Sequence, residues 1–500
     1  MTYHNDNLRS GQNTQETILT TANVNTATFG KVGFDAADGH VDAEPLYGQN
    51  LTINGATHNV LYVVTEHDSV YAFDADTGAT LWKVSALGAN ETSSDPRNCG
   101  QVSPEIGITS TPVIDPAAGA HGVMYLVAAS KDSSGGYHQR FHALDITTGA
   151  EISGSPVTVQ ATYPGSGAAS VGGQVAFDPS QYNERAGLLL LNGVVYIAWS
   201  SHCDIQPYTG WVMGYNESTL AQTTVLNLTP NGSEGSVWQS GNGPAADANG
   251  NIFFLDANGT FDTTLNASGM PANGDYGNSF MKLSTTGNKL AAADYFAMSN
   301  TVSESNADED LGSGGAMLLP DETDATGTVR HLAVGAGKDR NIYVVDRDNM
   351  GKFNASTNNI YQELPGALPG EEFASPAFWN NTVYYGSVGS VLSAYPVTQA
   401  KLATAPTSQG SHPFNYPGAS PSVSSNGTTN GIVWAVDNNT LAGLYAYDAT
   451  NLTKELYDSN QAANARDQFG PGNKFITPMI ANGKVYVGTQ TGVAVFGLLK

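Results

Sequence analysis

One short segment recurs along the whole chain, and this recurrence limits the possible folds more than any other feature. Its clearest copy is Val70-Tyr71-Ala72-Phe73-Asp74-Ala75-Asp76-Thr77-Gly78. Related strands begin at Phe141, Val212, Phe280, Ile342, Leu392, Leu444 and Val493. With Val70 these make eight copies, spaced by 71, 71, 68, 62, 50, 52 and 49 residues. A loose repeat of this length indicates stacked or radial units, not unrelated domains. The clearest copy alternates with period 2 and ends at an Asp-Gly type turn, as a strand followed by a hairpin does.

Each copy also has partners upstream. A strand such as Val60-Leu61-Tyr62-Val63-Val64 precedes it, and before that comes a short strand often opened by Ser/Thr-Pro, as at Thr111-Pro112, Ser375-Pro376, Ser420-Pro421 and Thr477-Pro478. Four antiparallel strands per repeat, A to D from the inside out, make the blade of a β-propeller. The sequence therefore predicts an all-β, eight-bladed propeller over 29–500, with 1–28 as an N-terminal extension packed on it. Copies 3 and 6 are irregular, so seven blades is the competing count. The last repeat ends just after strand C, and Phe29–Phe34 is expected to supply its missing outer strand, removing exposed sheet edges.

Composition excludes several functions. Lys and Arg number 20 against 45 Asp and Glu, giving a net charge of −25. Such a surface repels nucleic-acid backbones. No run of 18 apolar residues exists to form a transmembrane helix. Two cysteines, Cys99 and Cys203, are too few for a disulfide scaffold or a cysteine-based zinc cluster. The lysine-poor, Asn/Thr-rich chain suggests an extracytoplasmic protein, periplasmic or secreted, whose leader is absent from this sequence. A monomer is expected.

Ala72-Phe73-Asp74-Ala75-Asp76-Thr77-Gly78-Ala79-Thr80-Leu81-Trp82 resembles the tryptophan-docking repeat of pyrroloquinoline quinone (PQQ) propellers. The copy in blade 2, Asp145-Ile146-Thr147-Thr148-Gly149, lacks the tryptophan. The whole chain resembles secreted bacterial PQQ-like repeat proteins through Tyr3-His4-Asn5-Asp6-Asn7, Glu66-His67-Asp68-Ser69-Val70-Tyr71 and Pro104-Glu105-Ile106-Gly107-Ile108-Thr109. That resemblance implies the propeller, and it leaves open a quinoprotein dehydrogenase using PQQ, calcium and a carboxylate base on an alcohol or sugar. The adjacent Cys-Cys pair usual in such enzymes is absent, as is a Cys-x-x-Cys-His haem motif.

In a four-stranded blade the B–C turns and D–A connections share one face. The long connections, from Gly88–Thr109 to Asn460–Ile476, all fall on it. Long loops on a rigid scaffold carry function, so the axial funnel there is the expected site. The B–C turns hold Glu66-His67-Asp68, Lys131-Asp132, His202-Cys203-Asp204 and Lys338-Asp339-Arg340. Lys131, Asp132, Asp204, Lys338, Asp339 and Arg340 are read as ligand-binding residues in a ring of ion pairs, or as ordinary turn residues. His67 and His202, with Glu66, Asp68 or Glu105, are candidate acid–base groups for a polysaccharide hydrolase or lyase. Trp238, Gln239 and Asn242 enter blade 4, where the indole could stack on a flat ligand or pack between blades. Asp308, Glu309 and Asp310 offer hard oxygens suited to calcium, or form a solvated acidic loop. Cys99 and Cys203 fall on the same face and are expected to be disulfide-bonded, which needs an oxidising compartment. A secreted propeller binding a small-molecule, glycan or protein ligand at the funnel is the primary expectation, with the two enzyme classes as alternatives.

Overall fold

The computed structural model describes residues 1–500, and its main sheets sort into eight blades. Blade 1 runs Leu46–Ile53, Ala56–Val64, Ser69–Asp74 and Thr80–Ser85 from the axis outward, each strand antiparallel to the next. Copies 3 and 6 each form a full blade around Trp211–Asn216 and Ser390–Thr398, so the count is eight. Blade 8 contributes Met479–Ala481, Lys484–Thr489 and Gly492–Leu498, and Phe29–Ala36 pairs antiparallel with Gly492–Leu498 as its outer strand. The ring is thus closed by the two ends of one chain, and no blade is left with an unpaired seam.

The hydrophobic core is divided among the blade interfaces. Eight clusters of buried side chains each bridge two neighbouring blades, for example Tyr62, Val70 and Met124 between blades 1 and 2. The period-2 strands present one face to each neighbour, which is why both faces of the middle strands are apolar and buried. The tryptophan-docking element explains one of these joints. Asp74 Oδ1 accepts from the backbone N–H groups of Asp76 and Thr77, fixing the C–D turn. The chain returns to place Trp82 on blade 2, where its Nε1 donates to Ile146 O at 3.2 Å. Gly149 has φ +71°, and a Cβ there would come within 2.7 Å of the Trp82 ring, so only glycine allows this approach. Asp145 caps the equivalent turn of blade 2 and Asp448 that of blade 7.

Residues 1–16 thread the central channel. Met1 and Ile114 of blade 2 exchange backbone hydrogen bonds. Asn7 reaches Leu190 of blade 3, and its carbonyl accepts from Ala246 of blade 4. Leu8, Ser10 and Gly11 accept from Leu318, Phe378 and Val423 of blades 5, 6 and 7. Gln12–Asn13 pairs parallel with Ser422–Asn426, and Asn13 Nδ2 donates to Ile480 O of blade 8. Arg9 anchors the segment. Its buried guanidinium donates to Tyr3 O, Pro244 O and Leu188 O.

Candidate functional site

The strand pairing puts Glu66–Asp68, Lys131–Asp132, His202–Asp204 and Lys338–Arg340 in B–C connections, hence on one face with the long D–A loops. Four aromatic residues gather where these loops meet the axis. Trp238 stands edge-on to Phe373 and Phe475, with ring centroids 5.9 and 6.1 Å apart. Tyr416 lies against both phenylalanines and is 44% exposed, the outermost of the four. They come from the connections entering blades 4, 6, 7 and 8. Beside Phe373 and Phe475 remains a crevice of about 10 Å3, lined also by Pro417, Asn438 and Asn473. It has room for about one water molecule.

Cations sit on these rings. The Arg185 guanidinium is 4.9 Å from the Phe475 ring centre, and Lys474 stands beside the same ring. Lys338 stands over Trp238 and Phe373. In a chain with a net charge of −25, three cations beside these rings are a local concentration of positive groups, two of them already paired with carboxylates. Arg185 has Asp42 at 3.6 Å, and Asn473 also donates to Asp42. Burial, with Arg185 nearby, lowers the Lys474 ammonium from its ordinary range.

Behind the rings lies a layer of buried carboxyls. Glu66 accepts from Gly107 N–H at 2.7 Å and from the Thr109 hydroxyl. Burial first, then the negative charge of Asp42, pushes Glu66 well above the usual carboxylate range. Glu184, Asp256 and Glu372 are buried with neither carboxylate oxygen hydrogen-bonded, and burial raises each of them as well. Unpaired buried carboxylates are expensive, so burial favours the protonated form of each.

The residues singled out from the sequence are distributed around this centre. Trp238 belongs to it, and its Nε1 donates to Asp310 Oδ2 at 3.2 Å. Lys338 holds Asp308 at 2.6 Å and Asp310 at 2.8 Å, so an ammonium occupies the space between the two carboxylates. Glu309 is exposed on the same loop. No three His, Cys, Asp or Glu side chains converge as a metal-binding group. The lysines do not pair with their sequence neighbours. Lys131 reaches Asp95 at 3.1 Å, while Asp132 caps its own turn and holds His138. Asp339 accepts from the Tyr343 hydroxyl, and Arg340 is exposed in the turn. Gln239 is buried, donating to Asn242 O and accepting from Leu255 N–H. Asn242 accepts from the Tyr3 hydroxyl in the channel.

The five acid–base candidates do not form one constellation. His67 Nδ1 lies 3.0 Å from Glu105 Oε1 on the exposed rim. Glu66 faces inward, toward Gly107, Thr109 and Asp42. Asp68 is buried without a hydrogen-bond partner. His202 is buried with neither ring nitrogen bonded, and burial, then Arg97, lowers its affinity for a proton. Asp204 is engaged by the Ser201 and Tyr208 hydroxyls. Cys99 and Cys203 form a disulfide that ties the first long loop to the blade 3 turn.

Phe373, Tyr416 and Phe475 were not among the residues chosen from sequence. A signal was present: Phe373 and Phe475 each stand two residues before a Ser/Thr-Pro pair that opens strand A, and Tyr416 stands four before.

No protein-family model matches the chain, and no curated protein sequence does. Solved structures do. The quinohemoprotein alcohol dehydrogenase of Comamonas testosteroni superposes with a TM-score of 0.63 at 13% identity, over 99% of this chain and 80% of that one. A europium-containing methanol dehydrogenase gives 0.63 at 14% identity, over 99% and 98% of the two chains. The designed Ika8 protein gives 0.51 at 10% identity, over 94% of this chain and 99% of its own. At these identities the likeness concerns fold, and the fold is the eight-bladed PQQ-like repeat propeller expected from the repeats.

Proposed function

We propose that the protein is an extracytoplasmic binding propeller that holds a small, flat, acidic ligand at the long-loop mouth without turning it over. The observation that carries this reading is the convergence of Trp238, Phe373, Tyr416 and Phe475 with Arg185, Lys338 and Lys474 on the axis. Aromatic faces offer stacking area, and cations beside them favour an anionic partner. Dispersal of the acid–base candidates supports binding over hydrolysis or elimination, because concerted proton transfer needs its donor and acceptor within reach of one bond. The Cys99–Cys203 bond supports an oxidising compartment. No helix of the chain is long and apolar enough to cross a membrane.

The dehydrogenase reading rests on fold likeness to enzymes of that kind. The residues at the axis do not fit its metal: Lys338 stands where a calcium ion would need Asp308 and Asp310. The test is a titration with PQQ, itself flat and acidic, with and without calcium, followed by tryptophan fluorescence. Trp238 is the indole at the mouth. Saturable quenching that is independent of calcium and weakened in Lys474→Ala, which keeps the Trp238 indole, supports the binding reading. Binding that requires calcium, followed by alcohol oxidation, replaces it with the dehydrogenase. Absence of any binding, of PQQ or of small aromatic carboxylates, overturns the proposed ligand class.

A further inference from the structure

On the opposite face of the ring, the channel opens into a cavity of about 800 Å3 that no candidate residue from the sequence touches. We infer that this cavity is a second binding site, for a neutral sugar of one or two rings. Its origin lies in the N-terminal segment. That segment hydrogen-bonds to strand A of blades 2 to 8 but makes no such bond to strand A of blade 1, Leu46–Ile53. The uncovered strand is also bulged, its pairing with strand B shifting between Gly48 and Leu51. Bulges bend a strand and re-aim its side chains, and they are frequent beside sites. The result is a chamber between the inner strands of blades 8, 1 and 2 and the strap formed by residues 12–18.

The chemistry of the walls selects the ligand. Asn5, Gln12 and Gln15 line the cavity, and their side-chain amides make no hydrogen bond within the chain. Gln49, on the bulged strand, and Asn482 add two further amides to the wall. Amides offer both a donor and an acceptor, matching hydroxyl groups that do the same.

Free charge is scarce in the walls. No Lys, Arg or His side chain lines the cavity, and the Met1 ammonium is engaged by Ile114 O at 2.7 Å. Glu16 uses one carboxylate oxygen on the N–H groups of Ile18 and Leu19 and the other on that of Gly483. Glu44 accepts from His4 N–H at 2.7 Å. An anionic ligand finds no free counter-charge, and a cationic one finds carboxylates already committed. The volume is within the range of small-molecule sites, roughly 300–1,000 Å3.

The experiment is saturation-transfer NMR and calorimetry on the intact chain. The probes are methyl glucoside, maltose and cellobiose, with glucuronate and glucosamine as charged counterparts. The expected result is saturable binding of at least one neutral sugar, weakened at least tenfold in both Gln12→Ala/Gln15→Ala and Asn5→Gly. The Trp238→Phe variant, altered at the far mouth, is expected to bind the sugar as the parent does, which separates this site from the ligand reading above. These amide side chains are solvent-accessible and Asn5 has a positive φ that glycine accepts, so the variants are expected to fold, and circular dichroism checks that they do. No saturable binding of the neutral probes up to about 10 mM would overturn the inference, since the weakest specific affinities lie near that range. Preference for a charged counterpart, preference for a short peptide, or indifference to both variants would overturn it too.

Discussion

His4 and Glu44 meet inside the channel, and burial moves them in opposite directions. His4 is pushed down to about 4, despite its contacts with the carbonyls of Arg9 and Pro421. Glu44 is pushed up to about 8, its hydrogen bond from His4 N–H only partly opposing the burial. The two groups then govern different pH windows. A histidine that resists protonation when folded costs stability as pH falls below about 6.5, the value it has when unfolded. A carboxyl that keeps its proton when folded contributes stability that is lost as pH rises from 4.5 through about 8. Between about pH 6.5 and 8 only the second effect acts. Glu66, Glu184, Asp256 and Glu372 are raised by burial and act with the same sign. The melting temperature is therefore expected to fall from pH 6.5 to pH 8. Glu44→Gln, which imitates the protonated carboxyl, is expected to shallow that slope measurably in thermal scans at several pH values. Arg9→Ala tests the same centre differently. It leaves three buried carbonyls unsatisfied and is expected to cost about 3 kcal/mol or more, a few degrees in a chain of this size.

At the scale of elements, the loops matter more than the strands. The Cys99–Cys203 bond closes a span of 104 residues and holds the 88–109 loop over the blade 3 turn. Arg97 lies in that loop, and Arg97-Asn98 is a trypsin site. Native trypsin digestion is expected to spare it with the disulfide intact and to cut there first in Cys99→Ser/Cys203→Ser, read by mass spectrometry. The strands themselves were legible in sequence, because each depends on neighbours two residues apart and on a local Asp-capped turn, as at Asp74 and Asp145. The closing strand Phe29–Ala36 was legible because blade 8 lacked a fourth strand. The channel-threading course of Tyr3–Gly11 was not. It has no period, and its partners are mostly backbone groups spread over blades 2 to 7. The aromatic mouth was only partly legible. Trp238 stood out beside its amides, whereas Phe373, Tyr416 and Phe475 are separated by more than 40 residues and become one surface only when the ring closes. The partners of Lys131 and Lys338 were not legible for a related reason: their carboxylates come from the preceding loops, which sequence adjacency cannot reveal.

For the whole molecule, the division of the core among eight interfaces would ordinarily let blades unfold in turn, as solenoid repeats do. The closing strand and the threaded segment oppose this, because residues 1–16 touch nearly every blade. Unfolding is expected to be one concerted transition. Calorimetry and intrinsic fluorescence should give coincident curves, and Arg9→Ala should shift that single transition without splitting it. The threading also sets an order of assembly. Phe29–Ala36 needs Gly492–Leu498 as its partner, and Asn13 needs Ile480, so neither the outer strand of blade 8 nor the last bond of the axial segment can form before that blade is in place. Ring closure and the seating of the axial segment are therefore one event.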